Sequence, residues 1–491
     1  MLPARRSWIV YVLFCVAIHA AALLWVRQAG FLAVSDDDYA RVVIAQRFVT
    51  EPSWDPSGTS WLPFPFWITG GAMKILGATL DVARAAGLLL NLGAGTLLFA
   101  SALQLGTHAA VAAAVSLICC LLPSSLWLGA AVVPEFFTAA LVVFAITSLV
   151  HPLGASIRVL GACALAAASA SRYEAWPISL CFALWSAWDV GRAPRSTPLK
   201  KRVSGAIAGG LAVAFPVLWM AHGSLHHNDL LFFVQRVAHY KQALGDALPS
   251  YRALLAGYPA QVLLAEPLPV LSLVAALLVA GRMKGLLPSG PEQVSGRQLL
   301  ARSGALACVQ LLVLVLGAAR GGAPTHHPER ALLSLWMLMI VVAGYLLSRT
   351  FPKRVWSTSV PFCVVALLGA HVHKSLPSRI AGSQLRAHEE AAGRALRSLA
   401  PVEEVALLTD DYGYFAIMAA AGHPHRFFVA DDHDPRGLTQ DRPFEAWFSP
   451  ALGRRTWVTS ESHRTPESHR TQVGQVVRQV GPLSIYQVTL P

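Results

Sequence analysis

Apolar residues in this chain come in long unbroken runs, and polar residues collect in the short stretches between them. Runs long enough to cross a bilayer, roughly 18–25 residues, recur as far as residue 371. They cover 8–26, 81–105, 109–127, 132–150, 156–171, 175–190, 203–222, 261–281, 302–319, 331–348 and 355–371. The pattern predicts an α-helical polytopic membrane protein with about eleven transmembrane helices. Residues 61–77 are apolar too, but Pro63, Pro65 and the pair Gly70-Gly71 interrupt them, which predicts an interfacial or re-entrant helix rather than a crossing. Beyond residue 371 the pattern turns mixed. Val405–Thr409 reads as a strand, a helical stretch runs through Ala421, and 455–459 and 483–489 read as further strands. The expected division is therefore a transmembrane domain over 1–371, with outer loops at 27–80 and 223–260, and an α/β soluble domain over 372–491. A near-duplicate, ESHRTP/ESHRTQ at 461–472, predicts a surface loop.

Composition agrees with this division. Of 491 residues, 55% are hydrophobic and 13% charged, and the mean hydropathy is +0.50, which excludes an ordinary soluble protein. The net charge of +12 comes from 39 basic against 27 acidic residues. These basic residues cluster in short connectors, as membrane orientation requires, and do not point to nucleic acid. All seven cysteines lie inside apolar stretches, with neither a disulfide framework nor a metal-binding spacing. The N-terminal run has a basic start like a signal peptide, but it is long and lacks a clean cleavage site, so an uncleaved first span is expected.

Charge then orients the chain. Arg5 and Arg6 place the N-terminus in the cytoplasm, and alternation puts three basic connectors on that side: Arg192–Arg202, Arg282–Arg302 and Arg349–Arg354. The C-terminal domain falls outside. So do nearly all the unusual ionisable residues near span ends.

The first of these is Asp36-Asp37-Asp38-Tyr39, which opens an amphipathic helix with Val42, Val43, Ala45 and Phe48 on one side and Arg41 and Arg47 elsewhere. Helix capping needs one acid, and three exceed that need. Adjacent carboxylates at a membrane surface suit a general base for a hydroxyl, or a divalent cation held by Asp36 and Asp37. Pro134-Glu135 starts the fourth span, where Glu135 is a candidate for substrate or phosphate binding against the alternative that a proline and an acid simply suit a helix start. Arg172-Tyr173-Glu174 forms an outer turn in which Arg172 can meet a phosphate while Glu174 orients it or a sugar hydroxyl; an aromatic-belt turn with a local ion pair is the plainer reading. His326, His327 and Arg330 form a second cationic element, against the alternative of an interfacial snorkelling arginine. His226, His227, Asp229, Arg236, His239, Tyr240 and Lys241 lie on an outer helix-like segment, and Asp410-Asp411-Tyr412-Gly413 is explained by turn chemistry. No nucleotide-binding loop, zinc-protease helix or serine elbow occurs where it would be needed.

Together, the first-loop acids, the following Trp61-Leu62-Pro63 helix, Pro134-Glu135 and a later outer arginine resemble the GT-C glycosyltransferases, such as protein O-mannosyltransferases and aminoarabinose transferases. The likeness covers roughly residues 1–371. It implies an enzyme of the bacterial cytoplasmic (inner) membrane that moves a sugar from a polyprenyl-phosphate donor to an acceptor hydroxyl at the outer face, with inversion. It carries the base over to Asp36 or Asp37, with Asp-Asp-Asp standing where the family commonly has Asp-Glu. The lipid-phosphate contacts carry over to Arg172 and Arg330. The acceptor is a glycan, lipid or protein. The alternatives are a secondary transporter or other non-enzymatic membrane protein, and a lipid-linked glycan ligase.

Overall fold

A computed structural model describes residues 5–243, 251–282, 296–320, 329–352, 355–356, 359–400, 403–409, 412–429, 453–460 and 475–490. In chain order the helices are α1 (Arg5–Gln28), α2 (Asp36–Thr50), α3 (Phe64–Leu76), α4 (Leu80–Gln104), α5 (Ala109–Leu121), α6 (Pro123–Gly129), α7 (Glu135–Ser148), α8 (Ser156–Ser169) and α9 (Trp176–Arg192). They continue with α10 (Leu199–His227), α11 (Phe232–Ala243), α12 (Tyr251–Leu264), α13 (Pro267–Arg282), α14 (Gly296–Ala319), α15 (Glu329–Thr350), α16 (Ser359–Gly382), α17 (Ala387–Leu399) and α18 (Gly413–Ala421). Five strands follow α17: β1 (Val405–Leu408), β2 (Phe427–Val429), β3 (Gly453–Ser460), β4 (Gln475–Val480) and β5 (Leu483–Leu490).

Each of the eleven apolar stretches is a helix or a bent pair of helices. Among the described residues, six are long and apolar enough to cross a membrane, and counting each of two bent pairs as one span raises the number to as many as eight. The remaining three are shorter: α7 and α8 are apolar helices of 14 residues each, and α9 has 17 residues with Asp189 and Arg192 in its last turns. The bends are sharp, 71° between α5 and α6 and 81° between α12 and α13, and each falls just before a proline, Pro123 or Pro267. The two breaks are tied together, because the buried Glu266 carboxylate accepts the Ser124 N–H at 2.9 Å.

The chain forms two compact units. The first takes Met1–Val26, Leu88–Gly129 and Pro134–Pro377; the second takes Arg27–Gly87, Ala130–Val133 and Ser378–Pro491. In the first, α15 is buried along most of its length against α7, α5 and α13, whereas α1 and α16 expose most of their surface. Small residues permit this packing: Gly344 on α15 faces Val115 on α5, and Gly161 on α8 abuts Ser148 on α7.

The second unit contains the sheet, in order β2-β1-β3-β5-β4, with β1 parallel to β2 and β3 and β5 antiparallel to β3 and β4. β1, β3, β5 and α18 lie where an α/β domain was predicted. β2 and the exposed edge strand β4 were not anticipated. Asp410, Asp411 and the 461–472 repeat lie outside the described residues. Helix α3 forms over most of the proline-interrupted stretch.

Helix α2 departs from the amphipathic reading. It is buried on every side from Asp38 to Gln46, Arg41 included. Tyr39, Val42, Val43, Ile44 and Ala45 join one core with Phe66, Leu396, Leu407, Phe415 and Ile417, drawn from α3, α17, β1 and α18. A helix so enclosed has no solvent face to keep polar, so its composition carries no amphipathic stripe.

Candidate functional site

Ser35 is the N-cap of α2, and its side chain and that of Asp38 form a reciprocal capping box. Asp38 does more than cap. Its Oδ2 accepts the Val34 and Ser35 N–H groups at 3.1 and 3.3 Å, while Oδ1 accepts the Val132 N–H at 2.9 Å. With 3% of its surface exposed, it works as a tether between α2 and the 130–133 segment.

Asp36 is placed differently. Arg386, just ahead of α17, grips it with two hydrogen bonds, Nε to Oδ1 at 2.9 Å and Nη2 to Oδ2 at 3.1 Å. The Asp36 side chain remains 30% exposed. Burial works against the Arg386 charge, but the hydrogen bonds and charges of Asp36 and Glu389 outweigh it and raise its pKa above the ordinary value. Asp37 stands between these two at the start of the helix.

A second ion-pair group supports α2 one turn on. The buried Glu390 of α17 accepts both Arg84 Nη atoms at 2.8 and 2.6 Å, the Tyr39 hydroxyl at 3.0 Å and Arg394 Nη2 at 3.1 Å. Burial alone would raise its pKa, but hydrogen bonds and charge from Arg84, then Tyr39 and Arg394, lower it. For Tyr39, burial and then the Glu390 charge push the hydroxyl well above its usual range, so it stays a donor.

In the first unit the structure brings together Glu135, Arg172, Glu174 and Arg330. Arg172 donates Nη1 to Glu135 Oε1 at 2.6 Å, and Nε and Nη2 to Glu174 at 3.2 and 2.5 Å. Arg330, at the start of α15, lies 4.0 Å from the same Glu135 oxygen. Burial opposes the Arg172 charge, and Glu174 and Glu135 more than offset it, so the guanidinium stays protonated. Two cations around two acids, one of them fully buried, make a balanced group in which an arriving anion competes with carboxylates for the arginines. Tyr173 stacks on Phe233 of α11 with centroids 5.2 Å apart, and Trp176 meets both rings edge-on at 5.1 and 4.9 Å. An aromatic shelf therefore borders the arginine. His326 and His327 lie outside the described residues, as do the side chains of His239, Tyr240 and Lys241.

Sequence reasoning did not single out Arg386, Glu390, Arg84 or Glu266. The first two lie some 350 positions from their partners in α2, in an ordinary-looking amphipathic helix, and no local pattern marks them.

No family model and no curated protein sequence matches the chain. Solved structures do. A crystal structure of ArnT from Cupriavidus metallidurans bound to undecaprenyl phosphate is similar over 99% of this chain and 98% of its own, with a TM-score of 0.61 and 14% identity. The apo structure of the same protein covers 98% and 97%, with a TM-score of 0.48 and 13% identity. Over nearly its whole length, the chain has the fold of that undecaprenyl-phosphate-bound ArnT structure.

Proposed function

We propose that this membrane-embedded GT-C-fold chain is a glycosyltransferase that moves a sugar from a polyprenyl-phosphate donor to an acceptor hydroxyl at the outer membrane–water boundary. The observation that carries the reading is the whole-length likeness in fold to a structure holding undecaprenyl phosphate. Inside that fold stand an acidic helix start and a buried Glu135–Arg172–Arg330 group. The basic connectors support a cytoplasmic N-terminus and an outer C-terminal region.

In this mechanism a carboxylate of Asp36 or Asp37 takes the acceptor hydroxyl's proton as the oxygen attacks the anomeric carbon. The bond from that carbon to the phosphate oxygen breaks, and the configuration inverts. Arg172 and Arg330, with His326 and His327 as further donors, take up the charge gathering on the departing lipid phosphate. Glu135 and Glu174 hold Arg172 in place before the donor arrives, and Tyr173 contributes its ring to the shelf beside it. Asp38 serves the same chemistry indirectly, by fixing the helix start. A divalent cation shared by Asp36 and Asp37 is the competing use of these acids, and the Arg386 grip on both Asp36 oxygens argues against it.

The test incubates purified full-length protein with labelled polyprenyl-phosphate sugars and a membrane glycolipid extract, with and without chelator. Transfer by the wild type, lost in Asp37→Asn and in Asp36→Asn while the protein still folds and inserts, is the expected result. Full activity in both variants and in the double variant removes the base assignment. Loss with chelator restores the cation.

One observation favours a second reading. The two broken helix pairs, joined through Glu266, are a feature of secondary transporters. Substrate flux in proteoliposomes without any covalent product would support that reading.

A further inference from the structure

We propose that Arg386 is a positioning residue for the acidic start of α2, so that the α17 region, far along the chain, forms part of the reaction site. This rests on the reading above of Asp36 and Asp37 as the acid pair, and it adds the group that holds them.

The geometry is specific. A guanidinium offers a rigid planar fork, and here two of its nitrogens meet the two oxygens of one carboxylate. That two-point contact fixes both the position and the plane of Asp36. The third nitrogen, Nη1, donates to Glu389 Oε1 at 3.2 Å, so the fork is itself oriented from α17. The support continues into the sheet. A side chain at Gly413, the first residue of α18, would come within 3.1 Å of Glu389 Oε1 and 3.2 Å of Arg386 Nη1. Glycine there lets the β1–α18 connection close against this pair. β1 lies between two parallel neighbours in the sheet, and the chain leaves β1 toward β2 but leaves β3 toward β5 and β4.

The electrostatic need is equally direct. Adjacent carboxylates repel one another, and a cation in contact with the first offsets that repulsion at the second. Asp38 does not need the arginine, because backbone N–H groups surround it. Arg386 thus serves Asp36 by contact and Asp37 through the field. Both Asp36 and Arg386 are part exposed, at 30% and 21% of the side chain, so an acceptor can reach a carboxylate whose orientation is already set.

The experiment uses the purified full chain, a panel of labelled polyprenyl-phosphate sugars and a membrane glycolipid extract. Arg386→Ala is expected to lower kcat by about 100-fold, within the range set by loss of a preorganising group, and to leave KM for the donor unchanged. Low-millimolar guanidinium ion should restore part of that kcat in Arg386→Ala and nothing in Asp36→Asn. Arg386→Lys, which keeps the charge but loses the fork, should fall between. In the double variant Glu389→Gln/Arg386→Ala the losses should not multiply, since Glu389 acts through the same guanidinium fork. Thermal melting of each variant shows that it is folded. A wild type that transfers sugar while Arg386→Ala keeps its kcat, or whose two losses multiply, overturns the positioning role and leaves the enzyme reading standing. A wild type that transfers no sugar overturns both.

Discussion

Asp36 and Asp38 are two residues apart and chemically identical, yet their surroundings give them different work. Asp38 satisfies three backbone donors from a nearly sealed position. Asp38→Ala should therefore lower stability by about 2–4 kcal/mol, from a lost helix cap together with the unsatisfied Val132 N–H. Asp36→Asn and Asp37→Asn should leave the melting temperature nearly unchanged while abolishing transfer. Parallel melting and activity assays separate the two effects, and equal stability losses in all three would refute the division. The Glu135–Arg172 pair is tested in the same way. Arg172→Ala strands a Glu135 whose side chain is fully buried, with Arg330 at 4.0 Å, and should cost about 3–5 kcal/mol. At this scale the sequence was informative about chemistry and silent about partners. The acids were conspicuous because three together exceed a cap's need. Which of them was structural depended on Val132 and Arg386, and nothing local points to either.

At the scale of elements, α17 meets α2 through the Glu390 carboxylate and packs on α18 through a contact made without side-chain padding. A side chain added at Gly393 would run into the Ile417 carbonyl and the Ala420 methyl of α18. Gly393→Val is expected to destabilise the second unit by about 1–3 kcal/mol, read by protease resistance of the full chain. The Glu390 group adds a dependence on pH. Its carboxyl is more acidic folded than its ordinary 4.5, so the contribution is present above that value and is lost as pH falls through the lower folded one. Arg84, Arg394 and the Tyr39 hydroxyl, which face it, hold their protons throughout this window. As pH falls below 4.5 and through the lower folded value, the wild type should loosen α2 from α17, while Glu390→Gln should be weaker at neutral pH and flatter with acid. Hydrogen exchange at 36–50 reports both. Element legibility followed the same logic. Long apolar runs announced themselves, and so did β3 and β5, whereas β2 is three residues long. β4 exposes most of its residues and so lacks alternation. The period of α2 misled because its polar residues turn inward as well, Tyr39 to Glu390, Arg41 to the Trp61 and Phe66 rings and Gln46 to the Ala78 and Ala419 carbonyls.

Across the whole molecule, hydropathy marked the eleven helical stretches but not the two breaks, since Pro123 and Pro267 sit within runs that stay apolar on both sides. Nor could composition reveal that residues 27–87 fold with 378–491. Ending the chain at Pro377 should therefore leave a protein whose apolar helices still insert. Its Arg41 and Arg47, enclosed or half-enclosed in the full chain, should become open to trypsin. Unchanged resistance between 27 and 87 would count against the shared core. This discontinuity also governs when the protein can act. Helix α2 leaves the ribosome early, while α17, β1 and α18, which close its core, arrive much later. At roughly 5–20 residues per second the wait is on the order of tens of seconds. During that time the nascent chain already sits in the bilayer with its acids made but unheld. On the proposed reading, a product that stops before α17 carries the apolar helices without the groups that hold Asp36, so sugar transfer is expected only once α17, β1 and α18 have been made.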